Sequence, residues 1–266
     1  MTRRRLDAEL VRRGLSPSRA EARTAVQAGL VRIAGSPASK VETLVSDEEP
    51  VEMAGPPGRY VSRGGDKLDA AMERFGLDPS GRSCLDAGAS TGGFTDRLLQ
   101  AGARHVVAVD VGYGQMAWRL RRDPRVTILD RTNVRELTVS SLPYRPDLVV
   151  ADLSFISLRS VLAALSGIAA EESDAVLLVK PQFEAEPAQV PRGGVVRDPV
   201  VWASVLGSVI GASGDAGFAP QGLMASPVRG RAGNVEFLLW ARRGAEALDV
   251  DVDAAIVEGR ALAAPG

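Results

Sequence analysis

Leu85-Asp86-Ala87-Gly88-Ala89-Ser90-Thr91-Gly92-Gly93-Phe94 decides how the chain is read, because an apolar run ends there in an acid and a glycine-rich turn opens into a helix. Ser83, Cys84 and Leu85 predict a short buried strand, and Phe94 to Leu99 predict the start of an amphipathic helix, so the glycines fall where strand becomes helix. Missing side chains at Gly88, Gly92 and Gly93 let ligand atoms approach the backbone. The helix N-terminus points its free N–H groups and partial positive charge at the same space. Many strand-to-helix turns need glycine only for positive φ, so a second feature has to carry the ligand reading.

That feature is His105-Val106-Val107-Ala108-Val109-Asp110, a second buried strand ending in a carboxylate. Its spacing is close to the ~20 residues at which a βαβ unit places the acid that accepts from ribose hydroxyls. The first turn lacks the G-x-G-x-x-G order of dinucleotide binders and begins with Asp86, which repels a pyrophosphate but can face a cationic amino-acid group. S-adenosylmethionine, with ribose, ammonium and sulfonium but no phosphate, fits better than NAD. A third strand, Val126 to Leu129, ends at Asp130, which with the Thr132-Asn133-Val134 turn can meet an adenine edge or cap the next segment. The candidate cofactor residues are Asp86, Gly88, Ala89, Ser90, Thr91, Gly92, Gly93, Phe94, Asp110 and Asp130.

The chain has 266 residues, 45% of them apolar, enough for a full α/β core with a small appended domain. Its single cysteine, Cys84, cannot form an intrachain disulfide and reads as core packing. The single histidine, His105, starts a strand and reads as a surface or edge residue; no metal site is expected. Met-Thr-Arg-Arg-Arg is followed by no long apolar run, so neither a signal peptide nor a membrane span is predicted, and the expected location is cytoplasmic.

A net charge of −1 hides a basic first segment, in which nine cations precede Val41 against Asp7, Glu9 and Glu21. Leu6, Leu10 and Val11 predict a short helix ended by Gly14. Ser16-Pro17-Ser18 starts a second, with Ala20, Ala22, Ala25, Val26 and Ala28 on its apolar side, and Leu30 to Ile33 with Gly35 begins a small hairpin. Two helices and a hairpin with exposed arginines make either a plain helical cap or a compact surface for phosphates. Met53 to Val61, rich in proline and glycine, marks a domain boundary in which Arg59-Tyr60 offers a cation and an aromatic. The expected division is 1–54 for the first domain, 55–61 for a linker and 62–266 for the second.

In the second domain Lys67 lies near the start of a helix carrying Leu68, Ala71, Met72 and Phe75 on one side. Leu148 to Ala151 is a fourth strand ending at Asp152, with a helix expected from Ser154 through Ile168. Ala175 to Val179 is a fifth ending at Lys180, where Pro181 stops regular pairing. The loop from Gln182 to Arg197 is expected to be mobile, and its length favours a role at the site. Phe218 to Met224 and Val235 to Trp240 are the last two strands, with Glu236 starting the reversed one, so its beginning shares an edge with its neighbours' ends. Lys67, Asp152, Lys180 and Glu236 are therefore expected to converge on the ligand edge, where a lysine can serve as general base towards a hydroxyl. A structural salt-bridge network is the competing account.

Arg5-Leu6-Asp7 through Gly14-Leu15-Ser16, with Ser18-Arg19, Gly29 to Ile33 and Asp47, resembles the alpha-L RNA-binding module, named for the fourth protein of the small ribosomal subunit. Such modules read structured RNA through backbone and shape, and Arg4, Arg5, Arg19, Arg23 and Arg59 are the candidate RNA contacts. The order Lys67, Asp152, Lys180, Glu236 resembles the Lys-Asp-Lys-Glu tetrad of the FtsJ-like ribose 2′-O-methyltransferases, and through Trp240 the chain is similar to the TlyA family. That resemblance implies an α/β, Rossmann-like methyltransferase with a seven-stranded, mostly parallel sheet, plus a small N-terminal α+β RNA-binding domain. It further implies methyl transfer from S-adenosylmethionine to cytidine 2′-hydroxyls in 23S and, in some members, 16S ribosomal RNA, associated with capreomycin and viomycin susceptibility. The implied partners are ribosomal RNA or ribosomal subunits, with no membrane and no obligatory protein partner. An RNA-binding protein with an inactive methyltransferase fold, or an RNA base methyltransferase, are the alternatives.

Overall fold

The computed structural model describes residues 3–16, 18–27, 29–53, 59–230 and 232–263. Pro17, Ala28, Arg231, position 54 of the expected first domain and positions 55–58 of the expected linker lie outside the described residues. The chain divides into two compact units, Met1–Arg59 and Tyr60–Gly266.

In the first unit, β1 (Arg3–Arg5) runs into α1 (Leu6–Arg12), and α2 (Arg19–Gln27) is followed by β2 (Val31–Ile33), β3 (Ser36–Pro37), β4 (Leu44–Ser46) and β5 (Val51–Met53). β2 is the centre of a three-stranded antiparallel sheet, and β1 pairs with β4. Leu6, Leu10, Ala22, Val26, Val31 and Val45 fill the small core. An all-arginine strand carries no apolar alternation, so β1 was not expected; it forms because β4 offers it backbone partners and Asp47 accepts from the Arg4 guanidinium at 2.7 Å.

Two buried carboxylates organise the arginines of this unit. Asp7 accepts from Arg5 Nε at 3.2 Å, Arg19 Nη2 at 2.9 Å and Arg23 Nε at 3.4 Å. Glu9 accepts from Arg12 Nη2 at 2.5 Å and Arg13 Nε at 2.7 Å, and Arg13 also donates to the carbonyls of Glu49 and Ser46. Burial pushes the Asp7 carboxyl up, but bonds from its three arginines outweigh that and hold it at about 2. Bonds from Arg12, opposed by burial and joined by Arg13, likewise hold Glu9 at about 2.

The second unit is a seven-stranded sheet in the order β11-β12-β10-β9-β6-β7-β8. Its strands are β6 (Ser83–Ala87), β7 (His105–Val109), β8 (Val126–Leu129), β9 (Leu148–Ala151), β10 (Ser173–Val179), β11 (Ala219–Ala225) and β12 (Phe237–Arg243). Only β12 runs against its neighbours. The accompanying helices are α3 (Gly64–Phe75), α4 (Gly93–Gln100), α5 (Trp118–Arg121), α6 (Leu162–Ile168), α7 (Pro181–Glu184), α8 (Pro199–Asp215) and α9 (Val252–Ala263). Leu85, Val107, Val149 and Leu177 pack on one face of the sheet, and Cys84, Val106, Val150 and Val176 on the other, which is why the strands read as continuous apolar runs. From β6 the chain goes outward to β7 and β8, then crosses to β9 on the other side of β6, and that reversal opens a crevice at the strands' C-terminal ends.

Several local expectations shift. The helix expected from Ser154 starts late, because Phe155 adopts φ +64°, and it is divided at Val161 into a 3-10 turn at Leu158–Ser160 and α6. The loop after Lys180 is pinned rather than loose: Val196 N–H donates to Asn234 Oδ1 at 2.9 Å, and Asn234 Nδ2 donates to the Gly194 carbonyl at 2.8 Å. His105 is half-buried at the opposite end of the sheet from the crevice, between the Tyr144 hydroxyl at 2.9 Å and Thr127 Oγ1 at 3.2 Å. Burial pushes the Cys84 thiol up to about 12, as suits a packing residue. Among the described residues no helix is long and apolar enough to cross a membrane.

Because both folded-state values lie below the ordinary 3.8 of Asp7 and 4.5 of Glu9, the stabilisation they give is complete above about pH 4.5 and is lost as pH falls towards about 2. Hydrogen exchange between pH 5 and 2 is expected to show residues 3–53 losing protection over that window, and Asp7→Asn to flatten the dependence.

Candidate active site

At the end of β6, Gly88 has φ +85°, and a Cβ there would stand 2.5 Å from the Asp152 carbonyl oxygen. Gly92, at φ +95°, is closed over by the Leu120 side chain, and Gly93 by the Ser62 hydroxyl and the Gly65 amide. The expected opening for ligand atoms is thus partly taken by the protein's own segments. Gly88 and Gly93 still line a cavity of about 1040 Å³ at the crevice, together with Ala89, Ser90, Thr91, Phe94 and Asp110.

Asp86, Gly92 and Asp130 do not line it. Asp86 is fully buried beneath the turn, where its Oδ2 accepts from Thr95 N–H at 2.9 Å and Thr95 Oγ1 at 2.6 Å, tying β6 to the first turn of α4. Its Oδ1 has no hydrogen-bond partner among the described residues. Burial pushes this carboxyl up to about 7 against the Thr95 bonds, with the charges of Asp152 and Asp110 acting in the same upward sense. Asp110 accepts from Ser90 N–H at 2.8 Å and Gly112 N–H at 2.7 Å, so it shapes two loops as well as facing the cavity. Asp130 accepts from Gly114 N–H at 3.1 Å and anchors the same Gly112-Tyr113-Gly114 loop from outside.

Lys67, Asp152, Lys180 and Glu236 all line the one cavity. Four elements deliver them: α3 carries Lys67, Asp152 follows β9, Lys180 follows β10, and Glu236 precedes β12. The pairing of Val179 with Phe237 across the antiparallel ladder is what sets Lys180 and Glu236 at one edge. They form two pairs, Lys67 Nζ to Glu236 Oε2 at 2.5 Å and Lys180 Nζ to Asp152 Oδ1 at 2.6 Å. Lys67, Lys180 and Glu236 are buried and Asp152 is half-buried, so each ammonium is held where its carboxylate is the principal compensation for lost water. Gly230 packs so close to Glu236 that a Cβ would lie 2.6 Å from Oε1.

Residues that the sequence reading passed over complete the site. Ser154 Oγ accepts from Lys180 Nζ at 2.8 Å. Phe155 is 91% exposed at the cavity wall, with its ring 5.3 Å from that of Phe183, and the Lys180 amine lies 5.8 Å from the Phe183 ring centre. Ser62 and Arg63, before α3, line the same space. The only signal for these residues was adjacency: Ser154-Phe155 follows a strand-end carboxylate, and Gln182-Phe183 follows a strand-end lysine.

Of the candidate RNA contacts, Arg4, Arg5, Arg19 and Arg23 belong to the first unit and have side chains 37%, 41%, 54% and 55% exposed despite their bonds to buried or surface carboxylates. Arg12, at 47%, belongs with them and was not singled out. Arg59 is exposed at the end of that unit.

Residues 60–243 match the FtsJ-like methyltransferase family and residues 4–51 match the S4 domain. The chain is 52% identical over 264 residues to the 16S/23S rRNA (cytidine-2′-O)-methyltransferase TlyA of Mycobacterium tuberculosis, covering 97% of this chain and 98% of that one. It is 36% identical to Hemolysin A of Brachyspira hyodysenteriae, covering 88% of this chain and 98% of its relative. A solved structure from Streptococcus thermophilus that carries a hemolysin label superposes with a TM-score of 0.74 at 39% identity, covering 99% of this chain and 96% of the other. With the seven-stranded sheet, the charged crevice and both family matches in agreement, the chain belongs to the FtsJ-like methyltransferases and, within them, to the TlyA family with its N-terminal S4 domain.

Proposed function

We propose that this protein methylates cytidine 2′-hydroxyls of ribosomal RNA, in 23S and also 16S RNA, using S-adenosylmethionine. The observation that carries the reading is the meeting of two lysine–carboxylate pairs, both lysines buried, in one cavity beside the β6 turn. The activity named for the Mycobacterium tuberculosis relative supplies the substrate class, and a ribosomal substrate is met in the cytoplasm. On this reading 1–54 is the RNA-binding domain, 55–61 the linker and 62–266 the catalytic domain.

The residues present fit the cofactor. Gly88 to Thr91, Gly93, Phe94 and the Asp110 carboxylate border the cavity, and Asp86 lies buried beneath the turn. These groups would hold the nucleoside and the cationic amino-acid end, with Asp130 acting through the loop it anchors. When bound, S-adenosylmethionine supplies an electrophilic methyl on a positively charged sulfur. Holding the ribose oxygen in line with that methyl is worth ~7–11 kcal/mol of the barrier.

Lys180 first gives up one ammonium proton to solvent and, as the amine, takes the 2′-hydroxyl proton at Nζ, with Asp152 and Ser154 holding the nitrogen and Asp152 balancing the charge it regains. Lys67, held by Glu236, stabilises the negative charge that builds on the oxygen as the proton leaves. Phe155 offers an exposed ring against which the target base can stack. In the first unit Arg4, Arg5, Arg12, Arg19 and Arg23 contact RNA phosphates, with Arg59 adding a further cation.

Lys180→Ala is expected to lower the rate of methyl transfer to ribosomal subunits by ~10²–10⁴-fold, the range for loss of a positioned general base. Calorimetry should find S-adenosylmethionine affinity nearly unchanged; full activity in this variant would remove Lys180 from its role. Nuclease digestion and mass spectrometry of the wild-type product should place the methyl on ribose.

Replacing Arg19 or Arg23 by alanine is expected to reduce the slope of log affinity against log salt for RNA binding by ~1 for each cation lost. An unchanged slope would count against phosphate contact.

A further inference from the structure

The segment after β9 is held in a conformation its own sequence does not favour. Phe155 sits at φ +64°, and a non-glycine residue stays in that region only where the surroundings hold it there. Two sets of bonds do so. At one end, Asp152 Oδ1 and Ser154 Oγ meet the Lys180 amine at 2.6 and 2.8 Å. At the other, the Glu184 carboxylate, itself buried, accepts from Ser157 Oγ at 2.5 Å, Leu158 N–H at 2.5 Å and Arg159 Nε at 3.3 Å. Arg159 Nη2 returns to the Glu184 carbonyl at 3.1 Å. The Asp152–Ser160 segment and the Lys180–Glu184 segment are thereby fastened to each other twice, with Phe155 and Ile156 between the fastenings.

We propose that Glu184 is a positioning residue for methyl transfer: its carboxylate fastens the loop after β9 to α7 and so keeps Asp152 and Ser154 on the Lys180 amine. This rests on the assignment of Lys180 as the base. Glu184 does not line the cavity, so it acts through the loop and touches neither substrate nor cofactor. A neutral apolar residue at this position would leave the buried Leu158 amide without an acceptor and the half-buried Ser157 hydroxyl without this one, and the cheapest escape is for the loop to swing away. Glutamine keeps the length and one acceptor oxygen, and so keeps part of the fastening.

The test compares full-length wild type with Glu184→Ala, Glu184→Gln and Ser157→Ala. Transfer of labelled methyl to ribosomal subunits is measured at saturation and expressed per S-adenosylmethionine site counted by calorimetry, so that unfolded protein does not count as lost turnover. Glu184→Ala is expected to lose about 100-fold in kcat per site, the scale of a small misplacement of the reacting groups, with the Kd for S-adenosylmethionine unchanged. Glu184→Gln should recover most of that loss, and Ser157→Ala should lose less than Glu184→Ala. A wild-type rate per site in Glu184→Ala overturns the proposal, as does a loss that Glu184→Gln leaves entire. If Glu184→Ala does not fold, wild-type rates per site in both remaining variants overturn it. Digestion of the wild-type product separates this from the parent reading: a methyl on a base removes the ribose assignment and leaves the rate comparison for Glu184 standing.

Discussion

The bare Cα of Gly88 allows the end of β6 to lie against the carbonyl of Asp152, and the geometry of the crevice depends on that approach. Any side chain at Gly88 would have to push the two strand ends apart or leave the positive φ that bends the chain into α4. With the ends together, the turn that borders the cavity and Asp152 of the charged set become neighbours. The topology does the rest, since the reversal between β7 and β9 around β6 leaves no strand to fill the space above them.

Charge within this space is balanced pair by pair. Lys67 answers Glu236, and Lys180 answers Asp152, with Ser154 as an extra acceptor. Removing either member of such a pair leaves a poorly hydrated charge, which in buried pairs generally costs about 3–5 kcal/mol. The set is thus costly to keep by halves. Asp110, at the same cavity, is answered by the amides of Ser90 and Gly112 rather than by a cation, and Asp86, buried beneath the turn, by Thr95, with its value raised by burial.

Much of this was legible in the chain itself. Strand-end acids at Asp86, Asp110, Asp130 and Asp152 stand out because parallel strands buried on both faces are apolar until the ligand edge, where the first polar residue is visible. Glu236 was placed correctly for the same reason, through the antiparallel sense of the last strand. What stayed hidden depends on contacts distant in sequence. Asp86 and a lining residue such as Asp110 look identical in a strand pattern, yet the Thr95 hydroxyl turns one of them into a tie beneath the turn. The turn at Phe155 is equally invisible, because it is held by Lys180 and Glu184 from the end of β10 and from α7 rather than by local propensity. β1 was missed because three arginines carry no periodicity.

The carboxylate of Asp7 gathers guanidinium groups from the end of β1 and from two positions one turn apart on α2. Each arginine keeps about half of its side chain in solvent but has given up much of its rotational freedom to the shared anchor. A cluster braced in this way presents cations at set separations. It would discriminate by the spacing between strands of a folded RNA junction, whereas a floppy basic tail of equal charge would respond only to charge density.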